Sequence, residues 1–153
     1  MKKIVIHYPF IASYRIPIFT LLKNSKNYSF SFWAAEKGAN KFLLSTTGDL
    51  NVVNTPLKVI KVPVTNKKLE WQPSALKNIL KDKIDVYIVL GNPHSISTWL
   101  CLIFAKLKNT PTFIWSHGYL KEENGLKGLI RKYFYKLGNM HLLYGNNAKK
   151  IML

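Results

Sequence analysis

Short β-rich runs alternate with helical stretches along the whole 153-residue chain. Such alternation predicts right-handed βαβ units, in which helices cover both faces of a parallel sheet. The run Asp85–Leu90 is almost continuously apolar, as strands buried on both faces are. Residues 36–56 have no clean period and are predicted to be irregular or hairpin-like. The predicted strands of this α/β, doubly wound, mainly parallel sheet are Lys3–His7, Tyr28–Ala34, Leu57–Val62, Asp85–Leu90, Pro111–Ser116 and Met140–Tyr144.

Helices are predicted in the segments between these strands. Ser13 can cap a helix over Tyr14–Lys23, because Pro17 then falls in the first turn, where a missing N–H is tolerated. Asn92 and Pro93 have the residue types that open another helix. Together with the strands, these helices fit one Rossmann-like domain spanning residues 1–153. The further predicted helices cover 72–80, 92–108, 126–137 and the stretch from 146 or 147 onward.

The chain is strongly basic. It carries 23 lysine and arginine residues against seven aspartates and glutamates, a formal net charge of +16. A field of this size attracts polyanions and anionic membrane surfaces. Only Arg15 and Arg131 are arginine, the residue favoured for base-edge and bidentate phosphate recognition, whereas lysine suits lipid-surface attraction. The composition therefore favours an anionic membrane surface over nucleic acid as a partner.

Cysteine usage and the apolar runs bear on the compartment. The single cysteine, Cys101, lies in an apolar run, which predicts a buried free thiol in a reducing compartment. The start "MKKIVIHYPF" has too short an apolar stretch for a signal peptide. The longest apolar run, Trp99–Ala105, is far below the roughly 18 residues of a membrane span. We therefore predict a cytoplasmic protein that meets the membrane peripherally, at its inner face.

Polar and glycine-bearing turns follow four of the predicted strands, with the sequences "HYPF", "GNPHS", "SHGY" and "YGNN". In a doubly wound sheet these ends share one edge, and ligands bind in the crevice outside it. Helices beginning at Asn92 and Asn146 would add N–H groups that suit a phosphate or carboxylate. The alternative is that turns need Gly and Asn for conformational reasons alone. We favour a binding site at this edge, where His117 directly follows a buried strand and His94 is equally explained as a surface residue.

The segment "LKGLIRKYFYKL" combines an apolar stripe with basic residues. One interpretation is a helix whose stripe packs on the sheet while its basic side is solvated. The other is an interfacial helix that rests on anionic lipid. Both hold in part if the basic side leans toward a membrane. The residues at helical spacing are Leu126, Leu129, Ile130, Tyr133, Phe134 and Leu137, and the predicted membrane-surface residues are Lys127, Arg131, Lys132 and Lys136.

Several familiar chemistries lack their motifs in this sequence. The glycines never take the Gly-x-Gly-x-x-Gly or P-loop spacing after a strand, and no Gly-x-Ser-x-Gly elbow occurs. One cysteine and four dispersed histidines predict no metal site. The seven acidic residues offer no obvious acid–base pair, so no catalytic residue is assigned. A stand-alone small-molecule enzyme is therefore disfavoured.

The motifs resemble those of the GT-B glycosyltransferases of the group 4-like class, which use nucleotide-activated sugars and retain anomeric configuration. "PFIASYRIPIFTLL" is similar to their opening loop and first helix. The segment from "DVYIVLGNPHS" through "WSHGY" to "YGNNAKKIM" is similar to the elements that follow. In those enzymes an N-terminal Rossmann-like domain holds the acceptor and a C-terminal one holds the sugar nucleotide. The resemblance implies that this chain is half of a GT-B fold, on the acceptor side.

The resemblance also implies residue roles. Tyr14, Arg15 and the loop before them would line the cleft, Asn92 to Ser95 would face the acceptor, and His117 would point at the transferred sugar or its phosphate. The opening loop lacks the glycine pair common in the wider family, and the donor domain's two glutamates seven residues apart are absent. The predicted acceptor- and sugar-binding residues are Tyr14, Arg15, Asn92, His94, Ser95, His117 and Gly118.

These observations lead to one hypothesis and an alternative of another class. The hypothesis is an acceptor-binding domain of a hexosyltransferase that acts on a glycan or lipid-linked acceptor in surface polysaccharide biosynthesis. Its C-terminal donor domain would be missing, so this chain would bind no nucleotide-sugar cofactor, be inactive alone and self-associate through its exposed inner face. The alternative is a small basic Rossmann-like nucleic-acid-binding module with steeply salt-dependent binding. The low arginine content, and aromatic residues concentrated in strand-like runs, oppose that alternative.

Overall fold

The computed structural model describes residues 1–35, 55–64, 67–118 and 125–152. Its strands are β1 (Lys2–Phe10), β2 (Tyr28–Ala35), β3 (Thr55–Pro56), β4 (Ile60–Val64), β5 (Lys67–Trp71), β6 (Val86–Leu90), β7 (Thr112–Ser116) and β8 (Met140–Leu143). Six of them form a parallel sheet in the order β3-β2-β1-β6-β7-β8, and β4 and β5 form a separate antiparallel hairpin. The predicted α/β, Rossmann-like parallel sheet is confirmed.

The helices lie between the strands as predicted, although their starts differ. They are α1 (Ile16–Lys23), α2 (Pro73–Lys81), α3 (Ile96–Leu107), α4 (Gly125–Lys136) and α5 (Asn146–Met152). Pro17 lies in the first turn of α1, as predicted, because its missing N–H has no partner to lose there. Ser13 does not cap this helix, because it lies in a short 3-10 turn that precedes it.

Alternate residues along each central strand feed two cores, one on each face of the sheet. On β1, Val5 packs in a cluster with residues of α2, α3 and α4, whereas Ile6 and Tyr8 pack in a second cluster with Phe19 of α1. This alternation follows from the two-residue period of a strand. Helices therefore cover both faces, and each fully buried aliphatic or aromatic side chain contributes about 1.5–3 kcal/mol.

The predicted sheet strand Leu57–Val62 is wrong. In the described part of this segment, the strand that joins the sheet is β3, just before the predicted one, and it pairs with β2 through Thr55 opposite Trp33 and Pro56 opposite Ala34. Proline has no N–H for a further ladder and is confined to edge strands, so the sheet ends there. The chain then leaves the sheet, and Ile60–Val64 pairs with β5 in the hairpin. The prediction of an irregular segment falls mainly on residues 36–54, which lie outside the described residues.

The predicted helix start at Asn92 is also wrong, because α3 begins four residues later. Ser95 is its N-cap, and the Ser95 hydroxyl accepts a hydrogen bond from the Thr98 N–H at 3.3 Å. Asn92 instead closes a turn, in which its Oδ1 accepts from the His94 N–H at 3.0 Å. Asn side chains stabilise both arrangements, and here the local turn is formed. The N-terminus of α3 is therefore displaced from the place where an anion site was predicted.

The interpretation in which the apolar stripe of α4 packs on the sheet holds only in part. The side facing the sheet consists of Gly128, Phe134 and Tyr135, which are buried. Of the predicted stripe only Phe134 is fully buried, and Leu137 is half-buried. The other four stripe residues face outward, with exposed fractions of 73% for Leu126, 49% for Leu129, 45% for Ile130 and 57% for Tyr133. The stripe thus covers the sheet only at its C-terminal end.

Two simpler expectations concern the thiol and the membrane. Cys101 is a buried free cysteine, as predicted, and burial raises the pKa of its thiol to about 12. None of the helices in the described ranges is long and apolar enough to span a bilayer.

Candidate functional site

A cleft of about 440 Å³ opens at the carboxyl ends of the four adjacent strands β1, β6, β7 and β8. Parallel strands bring their carboxyl ends to one edge, which is where open α/β sheets bind ligands. The turn before α1, the hairpin strand β5 and helix α4 complete the walls. The polar and aromatic residues that line the cleft include Tyr8, Tyr14, Arg15, Glu70, Asn92, His117, Arg131, Tyr135 and Tyr144.

Arg15 lies in an aromatic enclosure at one wall of the cleft. Its guanidinium carbon is 4.9 Å from the ring centre of Trp115, 5.1 Å from Tyr8, 5.3 Å from Tyr14 and 5.5 Å from Tyr144. All four distances fall within the range of cation–π attraction, and each such contact contributes about 0.5–2 kcal/mol. The enclosure therefore fixes the position of the cation while leaving it at the cleft.

Tyr144 joins Arg15 to the histidine of the "WSHGY" turn. The Arg15 guanidinium donates a hydrogen bond to the Tyr144 hydroxyl. The Tyr144 ring stacks on the His117 ring, with centres 4.4 Å apart and an angle of 29° between the planes. Partial burial acts to lower the pKa of Arg15, but the hydrogen bond with Tyr144 and attraction to neighbouring tyrosines raise it overall. Arg15 is therefore a permanent, positioned cation at the cleft.

A carboxylate and an amide face the cleft from its hairpin side. Glu70 Oε2 accepts a hydrogen bond from Asn92 Nδ2 at 3.0 Å. The backbone holds the two segments together, since Glu70 N–H donates to the His94 carbonyl at 3.0 Å and Glu70 forms a β-bridge with Ser95. The hairpin thereby brings the Glu70 carboxylate, an oriented hydrogen-bond acceptor, to the sheet edge. Its charge is opposite to that of the arginines that line the same cleft.

The turn after β7 is shaped by its serine and its glycine. The Ser116 hydroxyl is buried and accepts a hydrogen bond from the Gly118 N–H at 3.0 Å. Gly118 has φ = 66°, in the left-handed region that glycine enters at least cost. His117, between them, is exposed and lines the cleft. The turn thus directs an imidazole at the cleft while its own polar groups bond one another.

The structure brings five of the seven predicted acceptor- and sugar-binding residues together at this cleft: Tyr14, Arg15, Asn92, His117 and Gly118. His94 and Ser95 do not line it. His94 is exposed in the turn before α3, and the Ser95 side chain is used as the cap of that helix. Whether the five residues bind an acceptor remains a prediction.

The predicted membrane-surface residues divide into two groups. Lys127, Lys132 and Lys136 are exposed on α4, whereas Arg131 is half-buried and lines the cleft. Arg131 follows the buried Gly128 at helical spacing and precedes Tyr135, also a cleft residue, by one turn. It therefore lies on the inner side of α4 and not among the exposed lysines.

Sequence reasoning missed the cleft positions of Glu70, Arg131, Tyr135 and Tyr144. Glu70 reaches the cleft only through the hairpin, whose pairing is a tertiary feature with no signal in local periodicity. Arg131 and Tyr135 lie on the same side of α4 as the buried Gly128, so a glycine at helical spacing from them was the signal that the sequence offered for that side. Tyr144 is the last residue of a predicted strand and the first of the turn "YGNN", so its position at the sheet edge was available in the sequence.

Gly91, which follows β6 and lines the cleft, is held against the next strand. A Cβ added at this position would lie 2.6 Å from Ser116 Cβ and 2.8 Å from Ile114 Cγ2. We expect Gly91→Ala to lower the free energy of unfolding by about 1–3 kcal/mol, because the strand ends must move apart. Urea unfolding measures this. Gly145→Ala is the control, because a Cβ there meets nothing within 4 Å, and it should change stability by less than about 0.5 kcal/mol. Equal effects of the two substitutions would contradict the close contact.

The described residues contain no group of three or more His, Cys, Asp or Glu side chains arranged to hold a metal ion. What the cleft offers is two arginines, an imidazole, a carboxylate and several aromatic rings. Arginine forks bind phosphate or carboxylate oxygens, and aromatic faces and hydroxyls suit polar organic ligands. The arrangement can therefore bind an anionic ligand that also carries hydroxyl groups.

Together the fold and this edge define the class by architecture: the chain is a Rossmann-like α/β domain with a cleft at the carboxyl ends of its parallel strands. Its structure is similar to a crystal structure of UDP-N-acetylglucosamine 2-epimerase, with a TM-score of 0.69 and 14% sequence identity, over 99% of this chain and 44% of that one. It is also similar to a crystal structure of Acinetobacter baumannii MurG, with a TM-score of 0.53 and 13% identity, over 92% of this chain and 40% of that one.

The chain thus spans less than half of either of these structures. No protein-family model matches its sequence, and no curated protein matches it. At this level of identity the likeness concerns the fold, and the activity of the domain has to be argued from its own cleft.

Proposed function

We propose that this domain binds the acceptor of a glycosyltransferase reaction, in which a sugar passes from a nucleotide-sugar to a phosphate-bearing glycan or lipid-linked acceptor. One observation carries the proposal. The sequence contains only two arginines, Arg15 and Arg131, and both line the cleft. In a chain whose other 21 cations are lysines, this placement favours bidentate recognition of a phosphate or diphosphate group over nonspecific attraction.

The other walls of the cleft suit the sugar part of such an acceptor. Glu70 and Asn92 offer hydrogen-bonding groups for sugar hydroxyls, and His117 with Tyr144 offers a stacked aromatic face. A volume of about 440 Å³ is within the usual range of small-molecule sites. The structurally similar epimerase is named for a nucleotide sugar, UDP-N-acetylglucosamine, which agrees with a sugar diphosphate as the relevant chemistry. The donor itself would bind a second domain, and surface polysaccharide biosynthesis is the pathway class that we infer.

A calorimetric titration with inorganic pyrophosphate tests the phosphate site. We expect saturable binding by the unmodified chain at ~0.1 M salt, where attraction between distant exposed charges is screened. Arg15→Met should weaken it by about 10- to 100-fold, because a hydrogen bond to a charged group is worth about 1.5–3 kcal/mol. Lys81→Gln, on an exposed residue of α2, removes the same charge elsewhere and should change binding less than about twofold.

Two results would contradict the site. One is binding that Arg15→Met and Lys81→Gln weaken equally, which would show attraction by net charge alone. The other is no binding of pyrophosphate at all. A glucose titration without phosphate is the chemical control, and it should show much weaker binding because it engages neither arginine.

A second candidate function follows from the likeness to the epimerase structure, which extends over 99% of the chain. In that case the cleft would belong to an enzyme that alters a nucleotide sugar without transferring it. UDP-N-acetylglucosamine distinguishes the two candidates in the same titration. Binding no tighter than that of pyrophosphate supports an acceptor domain, whereas much tighter binding by this chain supports the nucleotide-sugar enzyme.

A further inference from the structure

Helix α4 has two sides with different surroundings. Its inner side packs on the sheet through Phe134 and reaches the cleft through Arg131 and Tyr135. Its outer side carries a continuous row of large apolar residues at positions i, i+3, i+4 and i+7. This row, here called the outer stripe, consists of Leu126, Leu129, Ile130 and Tyr133, each at least 45% exposed. Single exposed leucines are ordinary, but a contiguous apolar surface rimmed by polar groups indicates a contact surface.

Within α4 itself, Gly125–Lys136, every charged side chain is basic. Lys132 and Lys136 are exposed beside the outer stripe, and Lys127 is exposed in the first turn of the helix. The Lys136 ammonium lies 6.0 Å from the ring centre of Tyr133. The sequence from Gly125 to Leu153 contains six lysines and arginines and no aspartate or glutamate. A partner that matches this surface offers an apolar layer to the outer stripe and negative charges to the flanking lysines. The interface of an anionic bilayer has both.

We propose that the outer stripe of α4 docks this domain on an anionic lipid bilayer. The four apolar side chains enter the boundary between head groups and acyl chains, and the flanking lysines contact lipid phosphates. With 12 residues, α4 is about 18 Å long, too short to span a bilayer, so it lies in the plane of the interface. The predicted basic membrane face is thereby replaced by an apolar contact with a basic rim.

Other occupants fit the surface less well. A second copy of the chain would bring another net charge of +16 against the same lysines, and like charges repel. Nucleic acid would satisfy the lysines but leave the leucines and isoleucine in water. A bilayer buries the apolar side chains and also pairs with the lysines. This argument does not require that the cleft binds an acceptor.

Docking by the outer stripe also sets the distance between the cleft and the bilayer. Arg131 and Tyr135 line the cleft from the opposite side of the same helix. Since an α-helix with its side chains is about 10–12 Å across, the cleft would lie about that far from the lipid head groups. If the proposed function holds, an acceptor with a lipid anchor needs only a short reach from the bilayer to Arg131.

Co-sedimentation with lipid vesicles tests the docking. The probe is a vesicle of equal parts phosphatidylglycerol and phosphatidylcholine, compared with one of phosphatidylcholine alone. We expect the unmodified chain to bind the first and hardly the second. The double variant Leu129→Gln/Ile130→Gln should weaken binding by about 10- to 100-fold, because two side chains lose their burial. Lys132→Gln and Lys136→Gln should each weaken it about fivefold.

The control is the double variant Ile18→Gln/Leu21→Gln, which changes an isoleucine–leucine pair on α1 that is more exposed than the α4 pair and lies across the sheet from α4. It should leave vesicle binding within about twofold of the unmodified chain. All the substituted side chains are exposed, and a circular dichroism spectrum verifies the fold of each variant. These vesicles hold no glycan or pyrophosphate, so the result is independent of the titration that tests the cleft.

Three outcomes would overturn the docking surface. The α4 and α1 variants could lose binding equally, the unmodified chain could fail to bind anionic vesicles, or binding could depend on the lysines and not on the apolar pair. Sedimentation equilibrium measures the oligomeric state and so tests whether a second copy of the chain occupies the outer stripe. A dimer that Leu129→Gln/Ile130→Gln dissociates, with vesicle binding unchanged, would assign the outer stripe to self-association.

Discussion

Phe134→Ala should lower the free energy of unfolding by about 3–5 kcal/mol, whereas Leu129→Ala, five residues earlier on the same helix, should change it by less than about 0.5 kcal/mol. Phe134 is fully buried and its ring meets Trp99 edge to face, with centres 5.1 Å apart. Removing it leaves a cavity between α4, α3 and the sheet, and the neighbours can fill it only in part. Urea unfolding of both variants measures the difference.

The comparison is informative because both residues belong to the same predicted apolar stripe. If the helix packed by the whole stripe, Leu129→Ala would cost about 2–5 kcal/mol, as buried leucines do. Comparable losses for the two variants would therefore show that α4 packs on its outer stripe, which would also remove the basis for docking on a bilayer. Tyr133→Ala is a second exposed control on the same side.

Acidification should destabilise the protein through His7, a buried histidine within β1. His7 is 1% exposed, and burial lowers its pKa from 6.5 to about 4, against a smaller raising effect of its hydrogen bond with Gln72. The ring nitrogens are both engaged, Nδ1 with the Tyr87 hydroxyl at 2.6 Å and Nε2 with Gln72 Oε1 at 2.9 Å. Since the amide oxygen only accepts, Nε2 carries the proton and Nδ1 accepts from Tyr87, which is the neutral form.

The sign of the pH effect follows from this neutral form. Between pH 6.5 and about 4 the unfolded chain binds a proton at His7 that the folded chain does not. The stabilisation is therefore complete above pH 6.5 and is lost as the pH falls, by about 1.4 kcal/mol per pH unit and about 3 kcal/mol in total. Urea unfolding at a series of pH values from neutral to about 4 gives the slope.

His7→Gln cannot titrate in this range, so it should reduce the slope while lowering stability at neutral pH. The exposed His94→Gln is the matched control and should retain the slope of the unmodified chain. Burial also lowers the pKa of His141, but that residue is present in all three proteins and cancels in the comparison. An unchanged slope in His7→Gln would show that His7 is not the group responsible.

The parallel sheet was predictable because its central strands are buried on both faces. Tyr87 and Val89 of β6 and Ile114 of β7 enter one core, while Leu90 and Trp115 pack against the other, and a continuous apolar run is the local sign of that burial. The convergence of the strand-end turns followed from topology alone, because parallel strands end at the same edge. The sequence thus contained the place of the cleft.

The errors have two physical causes. Helical periodicity shows which residues of α4 share a side, but it cannot show which side packs; the residues that are buried are Gly128, Phe134 and Tyr135. The Asn92–Pro93 pair is compatible with both a cap and a turn, and the choice depends on Glu70, which reaches Asn92 from the hairpin. The packed side of α4 and the turn at Asn92 therefore depend on contacts between distant segments, which the local sequence pattern does not show.

The contact between Arg15 and Tyr144 links residues 129 positions apart, nearly the length of the described chain. Closing so long a loop is entropically costly, and folding is slower when contacts join distant parts of a chain. The aromatic enclosure can be complete only after β8 has joined the sheet. Ligand recognition at Arg15 is thereby coupled to the last strand of the sheet, so a partly folded chain lacks the enclosure that positions this cation.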